Sequence, residues 1–268
     1  MNIGLFGRND GSNGPSKVYI NLLKGLRLLG HNIKEGQYDE FNGSLIMGNH
    51  PPNTLMGPNV MVLPTDNINF WKQYTNFVVP SKWVYDLYRS FDITNNTNIR
   101  IWSVGIDTDL FKSDDNIKIN DCFVYFKNRN QTELNEVTSF LNNNNIKYEI
   151  ITYGSYNENY LIDLCKKSKF CILLDNTESQ GIAYMEILSA NIPIYVIDLK
   201  IWNNRFPATS VPYFDENCGI IDTTLNDSSF DIFYKKLNSY NPRKYIIENH
   251  TLEISAQKYV NILENINR

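Results

Sequence analysis

Two glutamates, Glu178 and Glu186, stand eight positions apart in "DNTESQGIAYMEILSANIPIYVID" (175–198), with Gly181 between them and apolar runs on both sides. The run "FCILLD" (170–175) reads as a strand and "GIAYMEILSA" (181–190) as a helix. Glu178 then falls in the strand-to-helix loop at a sheet's carboxyl end, and Glu186 lies on the helix about two turns further on. A loop carboxylate there accepts hydrogen bonds from sugar hydroxyls, and one on the helix reaches a ribose diol. Gly181 allows close backbone approach, and the first helical amides form an anion site fit for a diphosphate. Ser179 and Gln180 share that loop and join the candidate contacts. The spacing suits a nucleotide-sugar. The competing reading puts Glu178 in solvent and Glu186 on a polar helix face.

The stretch from Glu178 through Gly181 and Glu186 to Pro193 resembles the E-x7-E signature of retaining GT-B glycosyltransferases, in particular glycosyltransferase family 4. Asn191 stands where the family usually has glycine. "IWSVGIDTDLF" (101–111) is similar to the family's domain-junction segment, and "VVPSKWVYDLY" (78–88) to the strand–helix unit before it. The resemblance implies an α/β chain of two Rossmann-like domains facing across a cleft, here with a short N-terminal domain. It implies a UDP- or GDP-sugar donor, a sugar-containing acceptor, and no further cofactor. It places cations after the first strand of the second domain. Lys127 in "VYFKNRNQTEL" takes the family's arginine place, with Arg129 as its helper, and Thr132 stands where the family has lysine. Two cations beside a phosphate neutralise a leaving group and could replace a metal. Lys127 and Glu178 are thus the candidate catalytic residues. Tyr153, in "ITYGSYNE" (151–158), stands where the family holds the nucleobase, although simple packing explains it equally well.

Other candidates lie in the first half. The glycines of "GLFGRNDGSNGPSK" stand at 4, 7, 11 and 14, so the G-x-G-x-x-G fingerprint fails and a nicotinamide-linked oxidoreductase is disfavoured. The loop is similar to the family's first loop, which makes Gly11 and Gly14 candidates for the donor phosphates; a flexible turn is the other reading. His50 in "GNHPP" and Asp66 in "PTDNINFW" both follow expected strands. Each could meet a sugar hydroxyl on the acceptor or donor-sugar side, or serve only as a cap or turn residue.

Positioning these side chains requires short apolar runs alternating with helical periodicity, the signature of parallel sheets with crossover helices. Strands are expected at 2–7, 44–49, 60–65, 77–81, 99–105, 122–127, 147–154, 170–175, 193–198 and 219–222. Helices are expected at 17–30, 82–91, 131–142, 157–167, 181–190, 228–240 and 250–267. Ser81 is the expected N-cap of its helix and Gly30 the expected stop of another. The polar segment 109–121 reads as a linker. The domains are then 1–110 on the acceptor side and 111–250 on the nucleotide-sugar side, with a helix over 251–268 packing across a domain face.

Composition sets the outer bounds. The chain has 268 residues, a net charge of −4 and 42% hydrophobic residues, enough for two α/β halves but without the basic excess of a nucleic-acid binder. Cys122, Cys165, Cys171 and Cys218 lack C-x-x-C spacing and lie near apolar runs, so they read as buried thiols of a reducing compartment. Three scattered histidines serve a metal poorly. No run of about 18 apolar residues is present, so the expectation is a cytoplasmic protein with at most peripheral membrane contact. The abundant asparagine reads as the mark of an AT-rich genome. The function expected is a metal-independent hexosyltransferase of retaining type; the alternative is a GT-B-like module that binds a nucleotide or glycan without turnover.

Overall fold

The computed structural model describes residues 1–10, 14–58, 63–112 and 118–266. It divides into two compact units, Met1–Gly105 with Asn249–Arg268, and Ile106–Glu248. Residues 106–110 therefore go with the second unit, because Ile106 and Phe111 are buried in its core.

In the first unit β1 (Asn2–Phe6), α1 (Gly14–Leu28), β2 (Asn32–Glu35), β3 (Phe41–Ser44), β4 (Leu55–Met56), α2 (Ile68–Gln73), β5 (Asn76–Val79), α3 (Lys82–Arg89) and β6 (Asn98–Ile101) follow in order. The strands form a parallel sheet ordered β2-β1-β3-β4-β5-β6. Gly30, at φ +76°, ends α1 as expected: its amide bonds the Arg27 carbonyl while His31 N–H reaches Leu26. Three expectations need correction. The strand placed at 44–49 lies at 41–44, and after the Leu45 amide bonds Phe6 the chain leaves the sheet. The strand placed at 60–65 falls partly on 59–62, outside the described residues, and Leu63–Asp66 form a turn. Ser81 does occupy the N-cap of α3, but its side chain makes no capping bond.

The second unit runs β7 (Asn120–Lys127), α4 (Gln131–Asn143), β8 (Tyr148–Thr152), α5 (Glu158–Lys167), β9 (Ser168–Asp175), α6 (Ile182–Ser189), β10 (Ile194–Ile197), a small hairpin of β11 (Ile201–Trp202) and β12 (Phe206–Pro207), β13 (Gly219–Asp222), α7 (Asp227–Lys235) and α8 (Pro242–Asn249). The main sheet is parallel with order β13-β10-β9-β7-β8. Strand alternation feeds two cores. Phe123, Tyr125, Cys171, Leu173, Ile194 and Val196 pack with α5 and α6 on one face. Cys122, Val124, Phe170, Ile172, Leu174 and Tyr195 pack with α4 and α7 on the other. Side chains of odd number in β7 and β9 therefore turn toward the α5–α6 face.

Asparagine does structural work that composition conceals. Asn67, Asn130, Asn157 and Asn226 cap α2, α4, α5 and α7, each accepting a first-turn amide. Asn128, Asn145, Asn191, Asn203 and Asn204 occupy positive φ, which asparagine tolerates better than most residues. Asn191, at φ +62°, meets the demand that glycine would meet there.

The last helix, α9 (Leu252–Ile266), packs on α1 and β3 of the first unit. The approach is close: a Cβ on Gly25 would strike the Leu252 carbonyl and stand 2.9 Å from the Ala256 Cβ. Gly25→Ala is expected to destabilise the protein by about 1–3 kcal/mol through overpacking, although alanine favours helix by about 1 kcal/mol over glycine. Urea unfolding measures the sign.

Candidate functional site

Parallel winding determines where a site can form. In chain order the second sheet's strands lie 5-4-3-1-2, so its order reverses between β7 and β9. Crossover helices leave on opposite faces there, and the carboxyl ends of strands beside such a reversal are where open α/β sheets bind ligands. The last residues of β7 and β9, Lys127 and Asp175, are register partners at that point. Both carry odd numbers, so alternation turns them to the same face.

Lys127 Nζ pairs with the Glu178 carboxylate and lies 3.9 Å from Asp175 Oδ2. It also sits 4.5 Å from the centre of the Tyr153 ring, within cation–π range. Burial opposes the ammonium's charge, but the Glu178 and Asp175 carboxylates outweigh it and hold the Lys127 pKa above its ordinary value. Asp175 is 3% exposed. Burial, then the nearby Glu178 charge, push its carboxyl up to about 8, against the opposing pull of Lys127. Both shifts favour the protonated forms of Lys127 and Asp175. Beneath it Tyr125 Oη lies 3.1 Å from Tyr156 Oη. Burial raises the Tyr125 phenol, with Tyr156, Asp175 and Glu178 adding to the shift.

The Glu178 loop is fixed from behind. Its amide donates to the Thr209 carbonyl at 2.9 Å. Thr209 Oγ1 in turn donates to Asp198 Oδ2 at 2.9 Å, and the Ser210 amide and hydroxyl both donate to Oδ1. Asp198 is the buried residue just past β10. Gly181 then starts α6 at φ +78°, where a Cβ would collide with the buried Tyr184 ring. The Tyr184 hydroxyl accepts the Tyr213 amide at 2.9 Å. The turn therefore needs glycine twice, for conformation and for space. It brings the opening amides of α6, which have no partner within the helix, next to Glu178.

The remaining candidates divide. Gln180 is buried and Ser179 half-buried in the same loop. Tyr153 is 48% exposed, its ring against Lys127. Glu186 is buried on α6, just over one turn in from Gly181. Its charge reaches the Cys165 thiol of α5, which burial raises first. Arg129 does not point at open space: its side chain is 5% exposed and bonds Glu133 and two strand carbonyls. Gly14 is the first residue of α1, with open space around it, and Gly11 lies outside the described residues.

The first unit has its own reversal, between β1 and β3, where Phe6 and Ser44 are register partners. His50 lies at that edge. Its Nε2 is 3.0 Å from Ser44 Oγ, its amide donates to Tyr74 Oη at 2.8 Å, and its ring lies 4.8 Å from that of Phe6. Burial lowers its pKa, against a smaller opposing effect of the Ile46 carbonyl. Asp66 is exposed and takes the Leu63 amide within its own turn.

Sequence reading missed Asp175, Asp198 and Glu133 as site-building residues. The signal was present: β9, β10 and β13 are apolar runs that reach or end in aspartate, at 175, 198 and 222. Among the described residues no group of three or more His, Cys, Asp or Glu is placed to hold a metal ion, and no helix is long and apolar enough to cross a membrane.

No protein-family model matches the chain, and no curated protein sequence matches it. Solved structures do. The chain is similar over 99% of its length to 97% of AviGT4, a glycosyltransferase involved in avilamycin A biosynthesis, with a TM-score of 0.67 and 12% identity. It is similar over its whole length to 98% of a glycosyltransferase from Rickettsia africae (TM-score 0.63, 13% identity). It also matches, over 99% of each chain, sucrose-phosphate synthase from Thermosynechococcus elongatus (TM-score 0.63, 9% identity). The chain has the GT-B fold of two Rossmann-like units.

The raised Asp175 carboxyl makes a pH prediction. Folded Asp175 keeps its proton from about 4 up to about 8, while the unfolded chain loses it near 3.9. Its contribution to stability is full below the unfolded value and is lost as pH rises through the folded one. The Tm difference between Asp175→Asn and the parent protein should therefore grow in the variant's favour from pH 4 to pH 8. A flat difference across that range contradicts the assignment.

Proposed function

We infer that the protein transfers a hexose from a UDP- or GDP-sugar to an acceptor hydroxyl with retention of anomeric configuration. The observation that carries the reading is the Lys127–Glu178 pair at the β7/β9 reversal, beside the opening amides of α6. An arriving diphosphate offers Lys127 a doubly charged partner in place of Glu178. Lys127 and the α6 amides then take the phosphate charge, and Glu178 is released to accept hydroxyl hydrogens of the donor sugar. Tyr153 and the loop after β8 are suited to the nucleobase, and Glu186 to the ribose side.

In this reading the bond between the anomeric carbon and the β-phosphate oxygen breaks, and its electron pair leaves with the nucleoside diphosphate. Positive charge develops on the anomeric carbon close to Glu178. The acceptor oxygen bonds that carbon on the same face, and its proton passes to the departing phosphate oxygen. Leaving-group charge is assigned to Lys127 and backbone amides rather than to a metal.

A second reading, a module that binds a nucleotide or glycan without turnover, is favoured by one observation: the Arg129 guanidinium is committed to protein partners. Incubation with UDP- and GDP-sugars, following nucleoside diphosphate release, separates the two. Turnover is expected with at least one donor. Lys127→Met should lower kcat/KM about 100- to 1,000-fold, the usual cost of removing a charge-stabilising donor. Glu178→Gln should lower kcat by at least about tenfold while nucleoside diphosphate affinity is kept or improved, because its loss releases Lys127. Binding with no turnover for any donor supports the second reading. Turnover that survives both substitutions removes these residues from the site.

A further inference from the structure

Arg129 stands two residues beyond β7, beside the reversal, where a second cation for the diphosphate was expected. Its hydrogen bonds describe a different task. Nε donates to both Glu133 carboxylate oxygens, at 2.9 and 3.0 Å, and Nη2 adds a further bond to the same carboxylate. Nη1 donates to the carbonyls of Asp175 and Ile197, each at 2.9 Å. Those are the final carbonyls of β9 and β10. Glu133 is itself held in the capping box of α4, where it accepts the Asn130 amide at 3.1 Å. Arg129 in turn holds the Glu133 carboxyl below its ordinary value, burial opposing and the Asn130 amide assisting.

We propose that Arg129 is a positioning residue that pins the last peptide units of β9 and β10, and through them Asp175, Asp198 and Glu178, rather than a ligand of the donor phosphates. The mechanical chain is continuous. The Asp175 peptide carries the carboxyl that faces Lys127. The Ile197 carbonyl belongs to the peptide that begins Asp198, whose side chain holds Thr209 and Ser210, and the Thr209 carbonyl holds the Glu178 amide. Electrostatics agree: a forked pair with Glu133 cancels the guanidinium's charge as seen from the crevice. Lysine cannot replace the fork, because a single ammonium on a flexible stem cannot serve a carboxylate and two divergent carbonyls in fixed geometry. The inference rests on reading the site as one for a nucleotide-sugar, since it states what Arg129 does there.

Glu133 gives the two roles opposite signs. If Arg129 were a phosphate ligand held in reserve, Glu133→Gln would free it and tighten binding of UDP, GDP or inorganic diphosphate. If Arg129 positions, Glu133→Gln loosens the clamp. Calorimetric titration with those three probes should then show affinity unchanged or reduced. Donor turnover should fall about 10- to 100-fold, the range for a small misplacement of reacting groups, with KM changed far less than kcat. Arg129→Lys should behave like Glu133→Gln despite keeping its charge.

A ligand-free readout separates this inference from the functional reading. Asp175→Asn should alter the dependence of Tm on pH in the parent protein but much less in the Arg129→Lys background, where Asp175 is no longer pinned. Additive effects of the two substitutions, or diphosphate affinity raised about tenfold by Glu133→Gln, overturn the inference. A parent protein that binds no nucleoside diphosphate refutes the functional reading, and the Tm cycle still decides the role of Arg129.

Discussion

A largely buried ammonium, its side chain 14% exposed, governs the carboxyl edge of the second unit's sheet. Lys127 ends a central strand where burial penalises charge, and it persists because two carboxyl groups and an aromatic ring surround it. Removing one charged partner of a fully buried pair costs about 3–5 kcal/mol; with side chains 14% and 16% exposed, the Lys127–Glu178 pair stands below that limit. The surrounding features follow from that constraint. Burial first, and then the Glu178 charge, push the Asp175 carboxyl toward its protonated form. Glu178 is kept close by a loop that glycine alone can turn. Asp198, spent on Thr209 and Ser210, makes that loop rigid from the rear. A cluster built this way closes Lys127 on its own carboxyl partners.

The same winding appears in both units. Each begins with a strand that becomes central, adds the second on one side and the third on the other, and so reverses beside its first strand. Strand alternation sends odd-numbered residues of β7 and β9 to the α5–α6 face, which brings Lys127 and Asp175 together across two strands. In the first unit the corresponding edge collects Phe6, Ser44 and His50. Two unrelated sets of side chains thus occupy equivalent places, because the topology creates the crevice and the sequence decides its chemistry.

Much of this was readable from the residues. Apolar runs in the second unit are long and bounded by turn residues, and the strands at 122–127, 170–175, 193–198 and 219–222 coincide closely with those observed. Lys127 and Glu178 were singled out separately, and the fold joins them. The first unit was less legible. β3 is only "FNGS" and β4 only two residues, so neither carries a hydrophobic signature, and apolar runs nearby drew the expected strands downstream. β2 has the polar sequence "NIKE" at a sheet edge, where no second core demands apolar residues. Arg129 misled for another reason: a cation in the loop after β7 looks the same in sequence whether its donors are free or committed. Only the capping position of Glu133, three residues after Asn130, hinted at its partner. Asparagine, attributed to genome composition, carries caps and left-handed turns whose demand appears only once backbone angles are known.

The proposed sugar transfer requires one exchange, Lys127 leaving Glu178 for a phosphate. A crystal structure of the protein with UDP or GDP observes it directly. The predicted result has Lys127 Nζ at about 3 Å from a diphosphate oxygen, Glu178 turned away from it, and Arg129 still bonded to Glu133 and the two strand carbonyls. A nucleotide bound elsewhere, or bound with the Lys127–Glu178 pair intact, contradicts the account.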